Sequence, residues 1–84
     1  MKYVVYEDPI YGPTAVVGPE TMQHTQLANA CCSANILSAG FCHVRVRDGK
    51  IMWHVYGESL SLSKRCNPEV DSQIVNESLT RSQL

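Results

Sequence analysis

Phe41-Cys-His-Val-Arg-Val-Arg-Asp-Gly-Lys-Ile-Met-Trp-His-Val-Tyr56 is the stretch on which the fold turns. Asp48-Gly49 suits a two-residue turn whose central residues both need positive φ, and such a turn matches the twist of the strands it joins. With those two residues in the turn, Arg47 faces Lys50, Val46 faces Ile51, Arg45 faces Met52, Val44 faces Trp53 and His43 faces His54. One face then carries Cys42, Val44, Val46, Ile51, Trp53 and Val55, and the other carries His43, Arg45, Arg47, Lys50, Met52 and His54. A slip of one residue would mix the two sets, so turn chemistry and hydrophobic pattern fix the same register.

Upstream, Lys2-Tyr-Val-Val-Tyr-Glu7 is rich in β-branched and aromatic residues and predicts a strand with apolar residues on both faces, as in a buried strand. Asp8-Pro-Ile-Tyr-Gly-Pro13 follows as a stiff loop, and Thr14-Ala-Val-Val17, stopped by Gly18-Pro19, is the hairpin partner. From Thr21 the pattern turns helical, with Leu27, Cys31 and Ala34 in register and Glu20 at the favourable dipole end. Ile36-Leu-Ser-Ala-Gly40 reads equally as a last helical turn closed by glycine or as the start of the next strand. Downstream, Gly57 leads into Glu58-Ser-Leu-Ser-Leu-Ser-Lys-Arg-Cys66, a strand extension or an ordered loop. Asn67-Pro-Glu69 then supplies a cap, a proline at the first helical position and an early acid, and Val70, Ile74, Val75 and Leu79 form the apolar stripe.

The expectation is an α+β two-layer sandwich in the order ββαββα. A mostly antiparallel sheet of about four strands would carry both helices on one face. Its core is expected to hold Val5, Val16, Leu27, Cys31, Val44, Val46, Ile51, Trp53, Val55, Ile74 and Leu79.

The chain has 84 residues, is 44% hydrophobic and 18% charged, and has a net charge of −1. That length suits one small domain over residues 1–84, with no room for a multidomain enzyme. No apolar run approaches the roughly 20 residues of a membrane span, and Glu7 interrupts the N-terminus where a signal peptide would stay apolar. With Cys31 and Cys32 adjacent, four cysteines point to reduced thiols in the cytoplasm. The charge is below the about 25% usual for globular domains, so part of the surface is covered by Ser, Thr, Gln and Asn or by a second subunit, as in a homodimer.

Ser38-Ala-Gly-Phe41, Gly57-Glu-Ser-Leu-Ser-Leu62 and Asn67-Pro-Glu69 before a helix together resemble a small family of bacterial and phage proteins over roughly residues 19–76. The family has no established activity, so no catalytic residue carries over. The resemblance implies that Gly57 to Leu62 is more than a spacer, and that the chain acts as an accessory protein on a host protein.

Chemistry-bearing residues are few. Structural zinc draws on paired ligands such as Cys-x₂₋₄-Cys, and none is present. His43 and His54 supply two ligands without a third, and Cys42 and His43 point to opposite faces of a strand. Ser61-Leu-Ser-Lys64 matches S-x-x-K, but that chemistry needs a helix start inside a large enzyme framework. No catalytic residue, metal or cofactor is assigned.

Charge, by contrast, is uneven: residues 1–42 sum to −2, 43–66 to +3 and 67–84 to −2. A basic hairpin can contact phosphate around Arg45, Arg47 and Lys50. A solvated strand face that discourages edge aggregation gives the same pattern. The preferred reading is a non-catalytic protein-interaction module that binds a protein partner or itself through Arg45, Arg47, Lys50, Met52, His54, Glu58, Ser59, Lys64 and Arg65, with nucleic acid as the alternative partner.

Overall fold

The computed structural model describes residues 1–30 and 35–82. Strands β1 (Lys2–Asp8), β2 (Gly12–Gly18), β3 (Ile36–Arg47) and β4 (Lys50–Tyr56) form an antiparallel sheet in the order β2-β1-β3-β4. Helix α1 (His24–Ala30) lies between β2 and β3. A two-stranded lobe of β5 (Glu58–Ser59) and β6 (Lys64–Arg65) precedes helix α2 (Pro68–Ser82). The segment left open between helix end and strand start is strand from Ile36 on, and the serine-rich connection forms the lobe.

The central hairpin has the expected register, from Arg47 opposite Lys50 through His43 opposite His54 to Phe41 opposite Tyr56. Asp48 and Gly49 both take positive φ, 52° and 76°, as a two-residue turn of this hand requires. The first hairpin also closes tightly. The Asp8 carboxylate accepts the backbone N–H groups of Ile10 at 2.8 Å and Tyr11 at 3.0 Å, and Gly12 takes φ 74°. This Asx turn lets the chain reverse over three residues despite two prolines.

The two helices do not share a face of the sheet. Neighbouring residues of a strand point to opposite faces. Val4 packs with Leu27 of α1 and Ala39, together with Val16, Met22, Ile36 and Leu62. Tyr3 and Val5, on the other face, pack with Val75 of α2 and Cys42, together with Ala15, Val17, Trp53 and Val55. The expected single helical layer is therefore corrected to one helix on each side. A strand that is apolar on both faces needs cover on both, and β1 buries Tyr3, Val4 and Val5 almost completely.

The expected core changes with it. Val5, Leu27, Val16, Trp53, Val55, Ile74 and Leu79 lie in the two clusters, whereas Val44, Val46 and Ile51 are exposed. Cys31 lies outside the described residues. β1 pairs with β3 as far as Phe41 and Met1 bonds to Cys42, so beyond that point β3 and β4 continue as a ribbon with no third strand beside it among the described residues. The whole chain, ribbon included, measures 37 × 27 × 22 Å.

Helix α2 is also turned relative to its expected stripe. Val70 is 49% exposed, and the buried positions are Asp71, Val75 and Ser78, with Ile74 and Leu79 partly covered. Positions 71, 75 and 78 recur at helical spacing, so the inward face includes an acid and a serine. Ser78 faces β2, where its hydroxyl accepts the Ala15 N–H at 2.9 Å.

Side chains of α2 protect one edge of the sheet. Arg47 and Lys50 flank the turn as a hydrogen-bonded pair, so bonded pairs alternate along the ribbon and Trp53 turns its N–H and C=O away from β3. Asn76 Oδ1 accepts that N–H at 3.0 Å, while Ser72 Oγ and Asn76 Nδ2 donate to the carbonyl at 2.8 and 3.2 Å. Unpaired edge groups template unwanted strand pairing, and this helix closes one such position. Asn76→Ala should cost about 1–2 kcal/mol by leaving the Trp53 N–H unpaired. Thermal melting and amide exchange at Trp53 check this, and an exchange rate equal to the parent's would refute it.

Candidate functional site

The ribbon beyond Phe41 and Tyr56 gathers the largest group of sequence-derived candidates. Arg45, Arg47, Lys50, Met52 and His54 alternate onto one face, and all are exposed. Rings continue this face back toward the body. His43 and His54 stack with centroids 5.9 Å apart, and His43 lies 5.5 Å from Tyr56. Tyr56 stacks on Phe41 at 5.7 Å, and Phe41 meets His24 edge-on at 5.4 Å. His24 is buried and bonded through Nε2 to the Gly40 carbonyl at 2.7 Å, so this nitrogen carries the proton and α1 is tied to β3. Lys2, opposite Phe41, adds a cation to the same face.

Arg45 Nε donates to His43 Nε2 at 3.1 Å, which occupies one of the two ring nitrogens that the histidine pair would offer an ion. Among the described residues no group of three His, Cys, Asp or Glu side chains is placed to hold a metal.

The opposite face of the ribbon is apolar. Val44, Val46 and Ile51 are 48%, 71% and 66% exposed. The ribbon therefore presents an aliphatic face and a cationic, aromatic face to its surroundings. Strand alternation places these residues on one face as expected, but that face lies outside the core rather than in it.

The remaining candidates lie apart, in the β5–β6 lobe beside the first half of β3. Glu58 pairs with Arg65 across the lobe and Ser59 with Lys64. Glu58, Lys64 and Arg65 are exposed, but Ser59 is buried and is corrected from surface residue to internal support. Its hydroxyl accepts the Leu62 N–H at 3.3 Å and lies 3.3 Å from Ser61 Oγ. Between lobe and α1 runs an open cleft of about 550 Å³, floored by Phe41 and rimmed by Lys2, Gln23, Glu58 and Leu60.

No family model, curated protein or solved structure matches the chain. Among the described residues no helix is long and apolar enough to cross a membrane.

One polar cluster has no counterpart in the sequence reading. Asp71, 2% exposed, accepts the Tyr3 hydroxyl at 2.6 Å, the Ser38 hydroxyl at 2.8 Å and the Asn67 N–H at 3.0 Å. Burial, then the Asp71 hydrogen bond and charge, push the Tyr3 phenol well above its ordinary value. Burial, then Asp71, push the Cys66 thiol up as well, and burial does the same to Cys42. Through the three hydrogen bonds to Asp71 the cluster ties α2 to β1 and β3. An acid at position 71, four before Val75 and seven before Ser78, was its available signal.

Proposed function

We propose that the chain is a non-catalytic protein-interaction module and that the projecting β3–β4 ribbon is its docking element. The observation that carries this reading is the aliphatic face of Val44, Val46 and Ile51, left open to water on the outer part of a ribbon that joins the core only at its base, through Cys42, Trp53 and Val55. Exposed aliphatic side chains lower the stability of a free two-stranded ribbon, and covering them by a protein surface recovers that free energy. The cations on the opposite face set the orientation of an approaching partner and limit indiscriminate sheet stacking.

A photo-activatable residue at Ile51 should form protein adducts in cells that Val46→Glu suppresses. The same residue at Ile10, which is 81% exposed at the far end of β1, should form none. Adducts of equal yield from both positions would remove the ribbon as docking element.

A nucleic-acid reading is favoured by a separate observation, the placement of Lys2, Arg45, Arg47 and Lys50 on the face that carries Phe41, His43, His54 and Tyr56. Cations that track a backbone beside rings that accept bases are the means by which sheets hold single strands. A labelled single strand titrated in about 50 mM salt tests it, since binding of this kind weakens steeply with salt. Loss of that binding in Arg45→Ala/Arg47→Ala supports this second reading, and no binding by the parent protein ends it.

A further inference from the structure

We infer that the occupant of the ribbon's aliphatic face is the same face of a second copy of this chain, packed antiparallel about a two-fold axis. The inference rests on the ribbon being the docking element and adds the identity of its partner. A two-fold contact requires one patch to be complementary to itself. Val44, Val46 and Ile51 meet that requirement in the centre, since aliphatic faces pack on one another without orientation. At the ends the chain carries both members of a charge pair. The ribbon tip holds Arg47 and Lys50, neither in an ion pair among the described residues. The ribbon base is flanked by α2, whose Ser72 and Asn76 sit against Trp53. Glu69 falls on the same flank, seven residues before Asn76, and is exposed.

In an antiparallel arrangement each tip reaches the other copy's base, so the long cationic side chains of one copy meet Glu69 of the other around the ribbon edge. The exposed cations at the tip of one copy, Arg47 and Lys50, thereby face an exposed acid of the other, Glu69. Size sets the strength. The three aliphatic side chains offer on the order of 300 Å², at the low end of a functional surface patch. A standard interface takes about 800 Å² from each partner, so the ribbon edges and the α2 flank must supply the rest. The expected association is reversible and depends on protein concentration.

Light scattering coupled to size exclusion, run from roughly 5 to 500 μM, tests this, since dissociation constants in the micromolar range fit an interface of small size. The parent should shift from one chain towards two across the series, and Ile51→Glu should stay a monomer with an unchanged circular dichroism spectrum. Lys50→Glu or Glu69→Lys alone should weaken association about tenfold, and the two together should restore it.

A parent that is monomeric throughout overturns the second copy as occupant, while the ribbon reading stands or falls separately on the Ile51 photo-adducts. A dimer that persists in Ile51→Glu and Val46→Glu forms through another surface and likewise overturns the second copy as the ribbon's occupant. Extra mass that proves to be nucleic acid, or a dimer indifferent to either charge reversal, overturns the arrangement described here.

Discussion

Asp71→Ala should lower the melting temperature by roughly 15 °C, the equivalent of about 3 kcal/mol in a chain of this length. The carboxylate is buried and accepts three donors from three parts of the fold: the Tyr3 hydroxyl of β1, the Ser38 hydroxyl of β3 and the Asn67 N–H at the start of α2. Alanine leaves all three donors without their acceptor and opens a gap beside Val75. Asp71→Asn keeps one acceptor oxygen and should lose about half as much. Tyr3→Phe keeps the ring in place and removes one donor.

Tyr3 also carries a pH signature. Its folded-state value lies above the ordinary value of 10.0, because burial and the adjacent carboxylate oppose the phenolate. The folded chain therefore holds a proton that the unfolded chain releases. The associated stability is complete below about pH 10 and falls as pH rises beyond it. Cys42 adds a loss of the same sign starting near the ordinary thiol value of 9.0. Denaturant midpoints from about pH 8 to 11 should fall steeply in the parent and less so in Tyr3→Phe. Parallel curves for the two proteins would show that the Tyr3–Asp71 contact does not carry the effect.

The legible parts of the fold were those in which local chemistry and pattern agree. Asp48-Gly49 and the alternation around it gave strand, turn and register together, and Asn67-Pro68 gave the start of α2. The illegible parts follow from two physical causes. Alternation states that Val44, Val46 and Ile51 share a face but not whether anything covers it, because cover depends on how far β1 extends beside β3. On α2, Ile74, Val75 and Leu79 of the apolar stripe pack in the core, but Val70 does not, because the inward face turns to include Asp71, which apolar spacing does not register. A buried acid is costly unless paired, and its partners Tyr3 and Ser38 come from 68 and 33 residues away, beyond what local pattern reports. The doubly apolar β1 already implied cover on both faces, in conflict with two helices on one, and the structure resolves that conflict in favour of β1.

Gly40→Ala should be the most damaging single-methyl change in the chain, costing about 3 kcal/mol or preventing stable folding. A Cβ at this position would lie 2.6 Å from the Tyr56 carbonyl oxygen, 3.1 Å from Cys66 Cβ and 3.2 Å from a Tyr3 ring carbon. The nearest atom is backbone, held in place by the pairing of Phe41 with Tyr56, so no rotamer change relieves the overlap. Gly18→Ala provides the contrast. There the added carbon meets Leu27 Cδ2 at 2.7 Å and Met22 Sδ at 3.2 Å, ends of flexible side chains that can turn aside, and the expected cost is about 1 kcal/mol. A Gly40→Ala protein that melts within a few degrees of the parent would show that β3 and β4 do not approach as closely as described. The consequence reaches the ribbon. The Gly40 carbonyl anchors His24, His24 abuts Phe41, and Phe41 stacks on Tyr56 at the point where the ribbon leaves the body. Displacing β3 from β4 at Gly40 therefore loosens the base of the ribbon, and Gly40→Ala should weaken the proposed self-association even under conditions in which the chain still folds.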